Sequence, residues 1–374
     1  MIRQLSVGLA LVSVATLPVL AQSQPAVAAS QAWSFAVSGD SRNCGDVVMP
    51  AIAGDALARH AEFYWHLGDL RKMSGVDEDI EHEAGNRGRS LTMAEYRERA
   101  WDDFIANQVV PFGSTPFFVG IGNHELIAPK TRDEFIAQFA DWLGSPVLKE
   151  QRLADDPTDH RLKTYNHWVE RGVDFINLDN ASRDQFDAAQ LAWFEALVRK
   201  DSADPSIKTL VVGMHQALPE SISLGHSMNE SPEGTESGRR VYADLLRARV
   251  GARKNVYILA SHSHFFMDGT FNTEYWRAHG GTLPGWIVGT AGAVRYPLPD
   301  DAKNARAAET NVYGYLLATV AADATITFEF RHLTEKDVPS YVAKEFTPEF
   351  VHWCFEKNSE APATPAIGSS TAEP

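Results

Sequence analysis

Short apolar strands alternate with amphipathic helices along most of this 374-residue chain, and this alternation constrains the fold more than any other feature. Runs such as WSFAV, FYWHL and TLVVG are typical of buried strands, whereas AAQLAWFEALVRK spaces its apolar residues as a helix does. Two later segments, YNHWVERGVDFINLDN and YGYLLATVAADATITFEF, instead predict antiparallel hairpins. We therefore expect an α/β fold in which helices cover mixed sheets.

The N-terminal residues predict an export signal. Arg3 precedes an apolar run from Val7 to Leu20, and small residues then suit cleavage after Ala21 or Ala28. The run is too short for a membrane span, and no later segment approaches that length. We expect an exported protein, periplasmic or extracellular, without a membrane anchor.

The chain is predicted to have four parts. Residues 1–28 form the signal peptide, and residues 31–335 carry the strand–helix alternation of one domain. Residues 336–357 hold enough aromatic side chains to pack on that domain as a C-terminal extension. Residues 358–374 are poor in bulky apolar residues, which is typical of a disordered tail.

Charge and cysteine content limit the partners and the compartment. With 49 acidic and 34 basic residues, the formal net charge is −15. Such a surface repels nucleic-acid phosphates, so we expect no nucleic-acid partner, although a local group of cations still permits a small phosphorylated substrate. Cys44 and Cys354 either pair in an oxidising compartment or remain free thiols. The sequence does not address the oligomeric state.

Potential metal ligands follow five of the predicted strands. They are Asp40 in SGDSR, Asp69 in HLGDL, Asn123 in GIGNHEL, His215 in VVGMH, and His262 and His264 in LASHSHFF. Alone, either aspartate is explained by a turn or a helix cap, GNH by a tight turn, and a histidine by a hydrogen-bonded structural role. Five in order, each at a strand end, predict one site at the edge of the sheet. Carboxylate, amide and imidazole donors together suit Fe, Mn or Zn.

The order GD, GD, GNHE, H and HxH resembles that of the calcineurin-like metallophosphoesterases, which include the purple acid phosphatases. The resemblance extends from about Trp33 to Leu333. It implies a four-layer α/β/β/α sandwich of mixed sheets with one or two metal ions at the strand ends. The implied activity is hydrolysis of phosphomonoesters or phosphodiesters by a metal-activated hydroxide, because bound metal ions lower the pKa of water from 15.7 to about 7.

The resemblance also implies a role for each residue of the motifs. Asp69 would bridge two cations, one of which would also bind Asp40 and His264. The other cation would bind three further residues, namely Asn123, His215 and His262. His124 would contact the phosphoryl oxygen and assist the leaving group, with a nearby carboxylate orienting its ring.

The first motif departs from the family pattern. Most members have DxH there, with the histidine as a ligand, but this chain has Arg42. Purple acid phosphatases supply a tyrosine three residues after the bridging aspartate, where this chain has Lys72. Three arrangements fit these departures. The cation binds with extra waters or only with substrate, Arg42 grips the phosphate in its place, or Cys44 completes the site as a thiolate.

The departures leave three functions open. The first is an exported metal-dependent phosphoester hydrolase, with His124 and Arg42 as its catalytic residues. The second is a catalytically degenerate metal- or phosphate-binding protein on the same fold, and the third is a thiol enzyme built on Cys44. We expect residues 71–90 to form a charged surface loop over the site. A second candidate lid is the segment after His215. Its His226 either approaches the metal ions or is a mobile exposed histidine, and we expect the second.

Overall fold

The computed structural model of the protein describes residues 32–182 and 186–360. The predicted signal peptide and the part of the predicted tail beyond residue 360 lie outside the described residues. Within them the chain forms twelve strands and eleven α-helices. None of these helices is long and apolar enough to cross a lipid bilayer.

The twelve strands form two mixed sheets. In chain order the strands are β1 (Trp33–Ser38), β2 (Ala61–His66), β3 (Phe117–Val119), β4 (Asn166–Glu170), β5 (Val173–Asn177), β6 (Thr209–Gly213), β7 (Asn255–Ala260), β8 (Phe266–Asp268), β9 (Gly285–Val288), β10 (Ala307–Glu309), β11 (Tyr313–Val320) and β12 (Ile326–Leu333). The five-stranded sheet has the order β12-β11-β1-β2-β3, and the seven-stranded sheet has the order β10-β8-β9-β7-β6-β5-β4. Strands β1, β2 and β3 are mutually parallel, as are β5, β6, β7 and β9.

The helices are α1 (Gly45–Ala58), α2 (Glu78–His82), α3 (Met93–Phe104), α4 (Arg132–Gln138), α5 (Ala140–Leu143), α6 (Pro146–Asp155), α7 (Ala188–Ala203), α8 (Pro232–Val250), α9 (Glu274–Ala278), α10 (Val342–Glu345) and α11 (Pro348–Glu356). Helices α1 and α3 share an apolar core with the five-stranded sheet. Helices α7 and α8 share another core with the seven-stranded sheet.

The third and central core lies between the two sheets and is rich in aromatic rings. Phe35 of β1 stacks on Phe63 of β2 with ring centroids 4.9 Å apart, and Phe175 of β5 meets Phe63 edge-on at 5.2 Å. Burial of such large apolar side chains is the main force that holds the two sheets together. The order of layers is helix, sheet, sheet, helix, which confirms the predicted four-layer α/β/β/α sandwich.

Several local predictions are confirmed, and one is wrong. Strands β4 and β5 form the hairpin that turns at Arg171 and Gly172, and β11 and β12 form the second hairpin. The expected surface loop at 71–90 instead contains α2 and turns charged groups inward. Arg71 is fully buried against Asp46 and Asp79. The sequence of a charged segment does not show whether water or a buried ion pair stabilises its charges.

The C-terminal residues are attached covalently to the start of α1. Cys44 and Cys354 form a disulfide with a Cα–Cα distance of 5.9 Å across 310 residues of sequence. Beyond α11, the buried Asn358 side chain donates a hydrogen bond of 2.8 Å to the Tyr313 hydroxyl. This pairing was left open by the sequence, and it excludes a free thiol at Cys44.

Removal of this disulfide by the double substitution C44S/C354S is expected to lower the free energy of unfolding by about 2–4 kcal/mol, since the crosslink restricts the unfolded chain. Urea unfolding of both proteins, with and without reductant, measures the difference. Reductant should destabilise the wild type and leave the variant unchanged. Equal stability of the two proteins would show that the crosslink does not contribute.

Candidate metal centre

The predicted ligands meet where strands of both sheets end. Each lies two to four residues after its strand, and these strands are β1, β2 and β3 of one sheet and β6 and β7 of the other. Because β1, β2 and β3 run parallel, as do β6 and β7, their carboxyl ends share one edge. The fold therefore brings together all six predicted metal ligands, namely Asp40, Asp69, Asn123, His215, His262 and His264.

Three of these residues adopt a backbone conformation that side chains disfavour. Asp40, Asp69 and His262 have φ values of 59°, 57° and 65°. Non-glycine residues rarely occupy this left-handed region, and such strain concentrates at functional sites. The His262 amide donates a hydrogen bond of 2.6 Å to Asp40, which helps to hold both turns.

Four donor side chains converge around one point, and we call them the inner ligand set: Asp69, Asn123, His215 and His262. His215 Nε2 lies 2.9 Å from Asn123 Oδ1, 3.0 Å from His262 Nδ1 and 3.3 Å from Asp69 Oδ1. On its other side, His215 Nδ1 lies 3.1 Å from the Leu67 carbonyl oxygen and donates to it. Burial lowers the pKa of His215, but Asp69, Asp40 and Glu125 together outweigh burial and raise it to about 9. The group thus requires a positive charge at its centre, from a proton or from a cation.

The inner ligand set fits a transition-metal ion. Asp69 Oδ2 is buried and accepts no hydrogen bond from any residue that the structure describes. Burial raises the pKa of Asp69, but His215, His124 and Arg42 together hold it well below its usual value, so the carboxylate is ionised. A carboxylate, an amide oxygen and two imidazoles are suitable ligands for Fe, Mn or Zn.

The Arg42 guanidinium lies where the resemblance implies the other cation. Its Nη2 donates a hydrogen bond of 2.7 Å to His264 Nε2 and lies 3.8 Å from Asp69 Oδ2. Its Nη1 donates to His124 Nε2. The side chain is 9% exposed. Of the three arrangements that the sequence allows, the structure has the guanidinium in the site, while the disulfide removes Cys44 from it.

Asp40 and His264 therefore face a guanidinium as well as each other. His264 Nε2 is 3.2 Å from Asp40 Oδ1, and His264 Nδ1 donates to the Val294 carbonyl at 2.6 Å. Burial and the neighbouring Arg42 lower the pKa of His264. The ring is thus neutral and accepts the Arg42 hydrogen bond.

His124 lies with its ring beside the Asp69 carboxylate, Nε2 being 3.8 Å from Asp69 Oδ2. Its ring contacts Arg42 on one side and donates to the Lys72 carbonyl on the other, and its backbone amide donates to Asp69 Oδ1 at 3.0 Å. The neighbouring Glu125 carboxylate does not contact the ring. It accepts three backbone amides at 2.8–2.9 Å, those of Asp69, Leu70 and Gly122. Glu125 therefore shapes the turn that carries Asp69.

Two further side chains lie at the site: Tyr296, which was not predicted, and His226, for which the exposed position was favoured over an approach to the metal ions. The Tyr296 ring stacks on His264 with a centroid distance of 4.0 Å, and no motif marks this residue in the sequence. His226 is exposed, as expected, yet its ring centroid is 5.6 Å from that of His262. In the sequence, only the histidine side chain and its position after the strand that leads to His215 indicated that this residue could lie near the site.

An open cleft of about 440 Å³ leads to Arg42. Beside Arg42, its walls include Lys72, Tyr296, Trp353 and Lys357. Lys72 forms an ion pair of 2.9 Å with Glu78, so its ammonium group does not replace the tyrosine ligand of purple acid phosphatases. Trp353 and Lys357 place the C-terminal extension at the edge of the candidate site.

The sequence matches no protein-family model and no curated protein. Its structure is similar to a purple acid phosphatase from yellow lupin (Lupinus luteus) seeds, at 17% identity and a TM-score of 0.52, covering 81% of this chain and 52% of that one. It is also similar to PhoD, at 14% identity and a TM-score of 0.50, covering 81% of this chain and 72% of that one. The chain spans about half the length of the lupin protein. As the order of motifs predicts, it has the calcineurin-like metallophosphoesterase fold.

Proposed function

We propose that the protein is an exported phosphoester hydrolase that uses one metal ion together with the Arg42 guanidinium. The observation that carries this proposal is the position of Arg42, which lies between His264, His124 and Asp69 beside a complete inner ligand set. The site thus keeps one cation position and fills the other with a permanent positive charge.

The inner ligand set would hold the metal ion. An Fe, Mn or Zn ion bound there supplies Lewis-acid chemistry and lowers the pKa of water. Asp69 provides the anionic ligand. His215 is held in the correct tautomer by donating from Nδ1 to the Leu67 carbonyl, which leaves Nε2 free to ligate.

Arg42 would bind the phosphoryl oxygens. A guanidinium presents a planar fork of donors that matches two phosphate oxygens, and it keeps its charge at every physiological pH. Arg42 Nη1 and Nη2 each carry two N–H groups, and each gives one to a histidine, so a second donor remains on each nitrogen. His124 and His264 hold the guanidinium in place. A guanidinium cannot acidify water as a metal ion does, so this task falls to the inner ligand set.

Export is supported by two features. The N-terminal sequence has the composition of a signal peptide, and Cys44 pairs with Cys354, as is usual in oxidising compartments. The substrate we propose is a small phosphomonoester or phosphodiester that enters by the cleft beside Arg42.

The substitution Arg42→Met is expected to lower hydrolysis of aryl phosphate mono- or diesters by about 10²–10³-fold, the usual loss when one fixed donor to the transition state is removed. Steady-state assays with Mn, Fe or Zn restored measure this. Arg42→Lys keeps the charge but lacks the planar fork of donors, so its rate should lie between those of the wild type and Arg42→Met. Lys357→Met, which removes an exposed cation from the same cleft, is the matched control and should change the rate little.

A binding protein without turnover is the second candidate, and the guanidinium in place of one cation is the observation that favours it. If the wild type hydrolyses neither ester with any of the three metals, yet binds inorganic phosphate in calorimetry and loses this binding in Arg42→Met, the binding function replaces the hydrolase. If Arg42→Met is as active as the wild type, the proposed role of Arg42 is wrong.

A further inference from the structure

The segment after β6 brings two more donor side chains to His262. We call residues 219–237 the insert, and we call His226, Glu230 and His262 the outer trio. One donor atom of each residue in the outer trio lies within 4.8 Å of the other two. His226 and Glu230 are exposed, and only His262 belongs to both the outer trio and the inner ligand set.

The insert is held in place by its own contacts. The Met228 amide donates to the Ala217 carbonyl at 3.0 Å, and the hydroxyls of Ser223 and Ser263 lie 2.7 Å apart. The His226 ring stacks on Tyr296 with a centroid distance of 5.2 Å and an interplanar angle of 21°. These contacts position the outer trio before any ligand arrives, which lowers the entropic cost of binding.

We propose that the outer trio binds a second divalent metal ion, with Zn²⁺ as the best match. Two imidazoles and one carboxylate are an established ligand set for zinc sites that keep one position open. The formal charge of −15 attracts cations to the surface. His226 and Glu230 are exposed, so an ion from solvent can reach them.

His262 would be shared between the two ions. Its Nδ1 lies 3.0 Å from His215 Nε2 and so faces the inner ligand set, and its other ring nitrogen, Nε2, would bind the outer ion. A neutral imidazole that ligates through Nδ1 carries its proton on Nε2. Binding of the outer ion therefore breaks that N–H bond, forms an N–metal bond and releases one proton to solvent.

The outer trio would restore a second cation to a site in which Arg42 has taken the place of one. It lies on the His262 side of the inner ligand set, whereas Arg42 contacts His264 and His124. This inference does not depend on hydrolysis, because metal binding can be measured without substrate.

The test compares Zn²⁺ content among four purified proteins after dialysis against micromolar free Zn²⁺, by elemental analysis and calorimetry. They are the wild type, H226A/E230Q, D69N for the inner ligand set, and L224A as a control on an exposed apolar residue of the insert. We expect about two ions per chain in the wild type and L224A, and about one in each of the other two variants.

The experiment tests the outer site and the inner site separately. The outer site is overturned if H226A/E230Q retains as many ions as the wild type. The inner site, and with it the proposed function, is overturned if D69N retains as many ions as the wild type. A wild type that binds one zinc ion, lost only in H226A/E230Q, supports the outer site and rejects zinc at the inner one, while the reverse pattern rejects the outer site. A wild type without bound zinc rejects the outer site and leaves Mn or Fe for the inner one.

Discussion

Replacement of Asp69 by asparagine is expected to lower phosphoester hydrolysis by about 10³-fold or more and to remove the inner metal ion. Asp69 is the only anionic member of the inner ligand set, and its carboxylate also lies 3.3 Å from His215 and 3.8 Å from Arg42. A metal ion contributes several kcal/mol of charge stabilisation to the transition state, and each tenfold in rate corresponds to about 1.4 kcal/mol. Initial rates and elemental analysis of the same preparations measure both losses.

The control for this variant is Asp268→Asn. Asp268 is also a buried aspartate, but it pairs with Arg306 at the end of β8 and contacts none of the predicted ligands. Its substitution should leave the rate and the metal content close to wild type. Circular dichroism establishes that both variants are folded. An Asp69→Asn protein with wild-type activity would reject hydrolysis by the inner ligand set.

The positions of the metal ligands could be predicted because each depends on local sequence. An apolar strand followed by a polar residue is visible in VVGMH or LASHSH, and parallel strands must bring their carboxyl ends to one edge. Asp69 and His215, 146 positions apart, therefore meet although nothing in the sequence between them specifies the contact.

The parts of the site that could not be predicted depend on contacts between distant side chains. The sequence shows that Arg42 replaces a histidine, but its place beside His264 depends on a residue 222 positions away. Tyr296 reaches the site through a loop without a motif. Whether Cys44 and Cys354 form a disulfide or remain free thiols was open for the same reason, since the separation of 310 residues carries no geometric information.

The surface loop predicted at residues 71–90 was the clearest error, because the structure buries charges of this segment. These buried charges lead to the largest expected effect on stability. Arg71 lies 2.5 Å from Asp46 of α1 and 3.1 Å from Asp79 of α2, and it also contacts Asp103 of α3. The guanidinium is fully buried. Its single positive charge thus stabilises carboxylates contributed by three helices, which converge beneath the first motif.

The substitution Arg71→Met is expected to lower the free energy of unfolding by about 3–5 kcal/mol, because it leaves buried carboxylates without their cation. Urea unfolding measures the loss. The matched control is Arg99→Met, since Arg99 contacts the same cluster through Glu83 at 2.8 Å but is 38% exposed. Removal of so exposed a charge should cost about 1 kcal/mol or less. Equal effects of the two substitutions would show that Arg71 does not neutralise the cluster.

The loss in Arg71→Met should also depend on pH. Burial raises the pKa of Asp46 and of Asp103 from 3.8 to about 7, and in both residues Arg71 opposes the rise. Since these pKa values are higher in the folded state, the folded protein binds more protons, and stability falls as the pH rises from 3.8 through 7. Without Arg71 the folded-state pKa values rise further, so the pH range over which stability falls extends to higher pH. The difference in unfolding free energy between variant and wild type should therefore be larger at about pH 8.5 than at about pH 5.5. A difference that is constant or smaller at the higher pH would mean that lost packing of the side chain, and not uncompensated charge, destabilises the variant.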